Sequence, residues 1–288
     1  MRRSWRPRAG LPPQIVPWRH LFQPLARTYT FGTAADRQGN APMQSDNPTA
    51  AILVIGDEIL SGRTREGNAH YLSQVLNSIG VDLREVRIVG DDHDQISASI
   101  RALDKSLGGA WDMLFTSGGI GPTHDDITAD AVAAAFGVGI EINEEARRVM
   151  VERWQARGVE VTGNRLRMAR IPLGAALIPN AHSAAPGFHI GNTYVMAGVP
   201  EVFRAMVEAV VPQLPTGRPS VSEALEVLRP ESDVADELRA VADDFPDLSL
   251  GSYPFQRGQR YGTSLVIRGL DGKRVTDAMT ALRERLAL

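Results

Sequence analysis

The chain has 288 residues, 43% hydrophobic and 23% charged, with a formal net charge of −3; that length builds one large domain plus a small one, or two modest ones. The absence of cysteine excludes disulfides, thiolate metal sites and thiol nucleophiles, and fits a reducing, cytoplasmic setting. The slight acidity gives no electrostatic footprint for nucleic acid, neither Lys105 nor Lys273 follows a glycine-rich loop as a Walker-type site requires, and no apolar run approaches the ~20 residues of a membrane span.

Residues 1–48 stand apart. Seven arginines (Arg2, Arg3, Arg6, Arg8, Arg19, Arg27, Arg37) face only Asp36 and Asp46 among many prolines and glycines. Such a stretch is a disordered extension, a leader lying before a true start at Met43, or an Arg-rich targeting segment. Regular structure begins at Ala51-Ile52-Leu53-Val54-Ile55, an unbroken apolar run expected of a strand covered on both faces. Ala69, Leu72, Val75, Leu76 and Ile79 then recur at helical spacing, with Asn68 placed to cap the helix and Gly80 to end it.

A second strand is predicted from Leu83 to Val89 and a second helix through Ile96, Ile100, Leu103 and Leu107. A third strand covers Met113-Leu114-Phe115, and a third helix runs from Ile127 to Phe136 before Gly137. Further helices are expected at about 143–157, 163–170 and 200–212, with short strands near 175–178 and 193–197. Pro212 to Pro219 reads as a linker; beyond it the pattern is strand, helix, strand, strand, helix. The expected architecture is therefore α/β, a three-layer, mostly parallel sheet covered by helices over 49–214, with a small α+β domain over 220–288.

In open α/β sheets, ligands bind beyond the carboxyl ends of the strands. Three such ends carry acids here: Gly56-Asp57-Glu58, Gly90-Asp91-Asp92 and the stretch Gly118 to Asp126. The carboxylates these ends bring together need a cation or hydrogen bonds to offset their repulsion, which points to a Mg²⁺-type oxygen-ligand site. In the third segment Gly118, Gly119 and Gly121 allow close backbone approach, the following helix offers N–H groups to an anion, and Thr116, Ser117, Thr123 and Thr128 add hydroxyls. Asp126 stands where a carboxylate either caps that helix or holds a metal against phosphate; an asparagine there would preserve the cap.

Val54-Ile55-Gly56-Asp57-Glu58-Ile59-Leu60-Ser61-Gly62 and Gly118-Gly119-Ile120-Gly121-Pro122-Thr123-His124-Asp125-Asp126-Ile127-Thr128 together resemble the molybdopterin-binding domain superfamily. Within it they are similar to the competence/damage-inducible protein A group and to the N-terminal domain of eukaryotic FAD synthase. Pro186-Gly187-Phe188 with Met196-Ala197-Gly198-Val199-Pro200-Glu201 is a third match, with Ala197 where the family usually has the first proline of a Pro-Gly-X-Pro turn. Gly251-Ser252-Tyr253-Pro254 is a fourth, and the resemblance covers roughly residues 50 to 286.

The resemblance implies that Asp91 and Asp126 correspond to the two aspartates of the molybdopterin site in molybdenum-cofactor proteins. It also implies, from the other two groups, a divalent-metal-dependent pyrophosphatase acting on FAD or ADP-ribose. On that reading Asp91 and Asp126 are catalytic, Asp57, Glu58, Asp125 and Asp126 bind Mg²⁺, Mn²⁺ or Co²⁺, and Gly56, Asn68, Thr116, Ser117, Gly118, Gly119, Gly121, Pro122, Thr123, Thr128 and Gly198 hold substrate. The alternative is a non-hydrolytic module for molybdopterin or another pterin phosphate. With the chain ending at Leu288, neither the amidase domain of the competence protein nor the nucleotidyl-transfer domain of FAD synthase is expected. Expected partners are a small-molecule nucleotide or pterin phosphate and further copies of the chain, not nucleic acid or membrane. His124 is read as a phosphate contact or a solvated loop residue, His93 as a helix start, and His70, His182 and His189 as structural. Arg147, Arg148, Arg153 and Arg157 read as a solvated basic helix face.

Overall fold

A computed structural model describes residues 46–288, so the expectations for the Arg-rich N-terminal segment lie outside the described residues. The chain opens with β1 (Thr49–Ile55), α1 (Asp57–Leu60), α2 (Asn68–Ser78), β2 (Asp82–Val89), α3 (His93–Leu103), β3 (Met113–Ser117) and α4 (Thr128–Phe136). An excursion follows through β4 (Ile140–Ile142), α5 (Glu144–Ala156), α6 (Gly163–Leu166) and β5 (Arg170–Pro172). The chain then returns through β6 (Ala176–Ile178), β7 (Gly187–Ile190), β8 (Thr193–Met196) and α7 (Pro200–Val210). The last part is β9 (Val221–Val227), α8 (Ala235–Asp244), β10 (Ser249–Arg257), β11 (Arg260–Gly269) and α9 (Gly272–Arg285).

The six-stranded sheet has the order β2-β1-β3-β8-β7-β6. Strands β2, β1, β3 and β8 run parallel, while β7 and β6 turn back antiparallel. The unbroken apolar run of β1 is explained by its central place: Ile52 and Val54 face the layer of α2 and α7, and Ala51, Leu53 and Ile55 face α3 and α4. The connection leaves β1 for β2 on one side and comes back to β3 on the other. That reversal is a topological switch point, and it opens a crevice at the carboxyl ends of β1 and β3.

Two expectations change. The helix anticipated at 163–170 is cut short: α6 passes into a 3₁₀ turn at Arg167–Ala169 and then β5, which pairs with β4. The segment before β9 is a linker in composition but is pinned in place. Asn47 exchanges hydrogen bonds with the backbone of Arg218, and Gly217 N–H donates to the Ile79 carbonyl at 3.0 Å. Gly80 and Gly217 touch so closely there that a Cβ on Gly80 would lie 2.3 Å from the Gly217 backbone. The small sheet has the order β10-β11-β9 with α8 and α9 packed on one face. Pro254 is tolerated because β10 is an edge strand, where a missing N–H breaks no interior ladder. Among the described residues no helix is long and apolar enough to cross a membrane.

Candidate functional site

The carboxyl ends of β1, β2, β3 and β8 surround a cleft of about 550 Å³, within the range that takes a nucleotide-sized ligand. Its backbone floor is Gly118 to Gly121, a loop forced into shape by the strands beneath it. Gly118 (φ 114°) and Gly119 (φ 68°) adopt conformations that side chains rarely reach. A Cβ on Gly118 would collide with the Ile55 carbonyl at 2.1 Å, and one on Gly119 with the Thr128 hydroxyl at 2.1 Å. Glycine is thus demanded by close strand-to-loop packing as well as by any ligand.

The loop is then tied down by its own polar groups. Both oxygens of Asp126 are engaged: Oδ1 accepts from Gly121 N–H at 2.6 Å, and Oδ2 from Thr123 N–H at 2.8 Å and from the Thr123 hydroxyl. Thr128 closes the other end, its N–H on the Gly119 carbonyl and its hydroxyl on the Gly118 carbonyl, both at 3.0 Å. Asp126 therefore does not cap α4, whose N-cap is Ile127. It braces the Gly118–Thr123 loop, which leaves about one of a carboxylate's roughly four acceptor positions free.

Facing this loop is an acidic wall. Asp91 lies at the cleft edge and accepts the Asp57 N–H at 3.0 Å. Burial raises its pKa above the ordinary carboxylate value, and the charges of Asp57, Glu58 and Asp125 raise it further against the pull of that hydrogen bond. Glu58 lines the cleft with its carboxylate folded over Gly56. Neither the Glu58 nor the Asp57 side chain has a hydrogen bond or ion pair among the described residues. Asp125 is held below its ordinary pKa by the Thr123 hydroxyl, its own backbone N–H and, to a lesser degree, His124.

The opposite end of the sheet behaves differently, and its acids are all matched by protein donors. Asp112 accepts from Lys105, and from the Thr49 hydroxyl and N–H, which pushes its pKa down to about 2. Fully buried Asp104 receives the Ser106 N–H and hydroxyl on one oxygen and the Asn192 N–H and Thr193 hydroxyl on the other. At the cleft, by contrast, Glu58 has no partner among the described residues and Asp91 accepts a single N–H beside three other acids. Among the described residues no three His, Asp or Glu side chains converge closely enough to form a protein-only metal cage. The expected gathering of carboxylates is thus a looser row, and Asp92 caps α3 through Gln95 N–H, as its place before the second helix leads one to expect.

Residues 51–216 match the family described as probable molybdopterin binding domain, and residues 219–288 match the FAD synthase, middle domain. The chain belongs to the molybdopterin-binding domain family. It is 32% identical over 270 residues to a protein of Caenorhabditis elegans described as a probable FAD synthase, across 85% of this chain and 51% of that one. A CinA-like protein of Anaeromyxobacter sp. (strain Fw109-5) is 36% identical over 219 residues, across 73% of this chain and 50% of that one. The chain thus spans about half the length of these two relatives. A protein of Pyrobaculum arsenaticum is 37% identical over 227 residues, matched over 83% of its own length. Among solved structures, CinA of unknown function from Thermoplasma acidophilum aligns with a TM-score of 0.52 at 31% identity, over 59% of this chain and 99% of that one. The family read from the two strand-end motifs, and the α/β fold read from the alternation of strands and helices, are those observed.

Of the residues singled out in sequence, Gly56, Glu58, Asp91, Gly118, Gly119, Gly121, Pro122, Asp125, Asp126 and Gly198 line the cleft. Asn68 does not cap α2. It is buried, and its amide donates to the Ser117 hydroxyl and the Gly198 carbonyl, both at 2.8 Å, tying the end of β3 to the turn before α7. The α2 amide at Ala69 is capped instead by Glu66. Thr116 is wholly buried on the α3/α4 side of the sheet, its hydroxyl without a partner, and it does not reach the cleft. Thr123 and Thr128 are spent on the loop's own hydrogen bonds.

His93 starts α3, as expected, and His189 stacks on Tyr194 at 4.4 Å. His124 has its side chain almost fully in solvent. Arg153 is no solvated face residue: its guanidinium donates to the carbonyls of Asn180 and Ser183, fixing a loop whose Ser183 and Ala185 line the cleft. Sequence reasoning also missed the apolar wall made by Ile55, Ile120, Met168, Val202 and Met206. No local signal marks these residues, because apolar side chains at a cleft and in a core look alike. Ala197 keeps an N–H where the family usually has proline, and it donates to the Met206 sulfur at 3.5 Å.

Proposed function

We propose that the cleft binds a nucleotide carrying a pyrophosphate, of the FAD or ADP-ribose class, and hydrolyses its anhydride with a divalent cation. The observation that carries this reading is the acidic wall of Glu58, whose carboxylate has no partner among the described residues, and Asp91, which accepts only the Asp57 N–H, facing a glycine loop that presents backbone toward the same space. A site built only for anions gains nothing from repelling carboxylates at its edge; a site that holds a cation between carboxylate and phosphate does.

The donors are all oxygen, and too few converge for a protein-only cage, which fits a Mg²⁺-type ion that keeps waters and takes substrate phosphate oxygens. Glu58 and Asp91 would hold it, with water and substrate oxygens completing the shell; when bound, such an ion neutralises phosphate charge and lowers the pKa of a bound water. The Gly118–Gly121 backbone orients the phosphates, with Asp126 keeping the loop rigid. The apolar wall of Ile55, Ile120, Met168, Val202 and Met206 receives a flat ring and excludes water from it.

That apolar wall also suits a pterin ring, so binding of molybdopterin or a related pterin phosphate without hydrolysis is the second reading, supported by the family match. The relatives described as FAD synthase and CinA-like support the nucleotide reading, as does the match of residues 219–288 to the FAD synthase middle domain. Incubation with FAD or ADP-ribose and Mg²⁺, Mn²⁺ or Co²⁺ tests the two: release of AMP is expected. Tight binding of a pterin phosphate with no AMP from either nucleotide would overturn hydrolysis.

A further inference from the structure

Arg167 sits in the 3₁₀ turn after α6, and its Nε is sealed from solvent without a hydrogen-bond partner. Among the described residues its guanidinium makes no hydrogen bond or ion pair at all. The two nearby acids cannot answer it. Asp130 is held by Arg170 in a bidentate pair at 2.6 and 2.9 Å, and Asp126 is committed to the loop. A guanidinium held against the fold with no protein acceptor is destabilising, and an acceptor arriving from outside would answer the N–H groups that stay accessible.

Arg167 lines a small cavity beneath the glycine loop, together with Gly119, Gly121, Asp126, Asp130 and Arg170. The cavity measures about 20 Å³, room for a single water-sized group. It is too small for a phosphate, but it adjoins the large cleft across Gly119, Gly121 and Asp126, which line both. One oxygen of a phosphate seated in the cleft would fill it.

We infer that Arg167 receives an oxygen of the second phosphate of a pyrophosphate-bearing ligand through the terminal nitrogens of its guanidinium. The inference rests on the nucleotide reading above and deepens it. Glu58, Asp91 and Asp125 line the cleft and not the cavity; Arg167 lines the cavity and not the cleft, beside Asp130, which Arg170 holds, and Asp126, which the loop holds and which lines both. One phosphate is thus answered by a cation at the acidic wall and the other by a guanidinium beyond the loop. A monophosphate can use only one of these, so Arg167 selects diphosphate over monophosphate. The planar fork of Arg matches two oxygen contacts in a way that a Lys ammonium cannot.

The test compares the full chain with Arg167→Met and Arg167→Lys by calorimetric titration with ADP-ribose, inorganic pyrophosphate and AMP in the presence of Mg²⁺. Loss of a charge-assisted contact should weaken ADP-ribose and pyrophosphate about 10- to 100-fold in the Met variant, with AMP changed by less than about threefold. The Lys variant should fall between. Without ligand, the Met variant should melt at or above the temperature of the parent, because no protein contact is lost. Equal affinities in parent and Met variant would overturn the inference, showing that the cavity holds only water. So would a lower melting temperature with unchanged ligand preference, since Arg167 would then be structural. If the parent binds pyrophosphate through Arg167 yet releases no AMP from any nucleotide, hydrolysis fails and the Arg167 contact stands. If the parent binds none of the three ligands, both fail.

Discussion

Replacing Asp126 with Asn separates two views of the glycine loop. If Asp126 capped α4, Asn would serve as well, since the two cap helices about equally. The structure instead gives its carboxylate three loop donors: Gly121 N–H at 2.6 Å, Thr123 N–H at 2.8 Å and the Thr123 hydroxyl. An Asn side chain has one oxygen, which can stay with Thr123, and its NH₂ then points at the Gly121 N–H, donor against donor. A hydrogen bond to a charged group contributes about 1.5–3 kcal/mol. The side chain is half-buried, so water replaces part of the loss, and the remaining two bonds weaken as the charge goes. A destabilisation of about 1.5–3 kcal/mol follows, or about 3–12 °C in Tm at roughly 2–4 °C per kcal/mol for a chain of this size. Thermal melts followed by circular dichroism, paired with ADP-ribose titration, measure both consequences; affinity should fall at least tenfold as the loop loosens. A variant that melts within about 1 °C of the parent and binds equally well would refute the bracing role.

At the acidic wall, a divalent cation at about 100 times its Kd should stabilise the protein by about 2.7 kcal/mol, an upward Tm shift of about 5–10 °C; melts in Mg²⁺, Mn²⁺ and Co²⁺ check it. Asp91→Asn keeps an acceptor for the Asp57 N–H, removes the repulsion from Asp57, Glu58 and Asp125, and should raise the metal-free Tm while abolishing the metal shift. Asn68→Ala removes two buried hydrogen bonds, to Ser117 and the Gly198 carbonyl, and should cost about 2–3 kcal/mol in chemical denaturation. For Asp112 the sign is set by a pKa pushed down from 3.8 to about 2. The stabilisation is complete above pH 4 and is lost as pH falls toward 2. Its side chain is 35% exposed, so screening trims the effect to about 1–2 kcal/mol; Asp112→Asn should flatten the acid limb of the stability curve by that amount.

Much of the molecule is legible in its residues taken in order. The covered run at Ala51–Ile55, helical spacing from Ala69 to Ile79 and glycine at strand ends imply an alternating α/β unit, because periodicity reports which faces are buried. The acids at Asp57, Glu58, Asp91 and Asp125 could be placed near one site because a parallel sheet carries all its strand ends to one side. Only the tertiary structure decides how each polar group is spent, because a hydrogen bond depends on partners far apart in sequence. Asn68 meets Gly198 across 130 residues and so ties two elements instead of capping one. Thr116 and Ser117 are neighbours in the chain, yet the pleat turns one into the core and the other toward Asn68. Arg167 shows the same limit most clearly. In sequence it is one arginine among many, and its meaning arises only where the fold seals its Nε beneath the glycine loop and gives both nearby carboxylates to other donors.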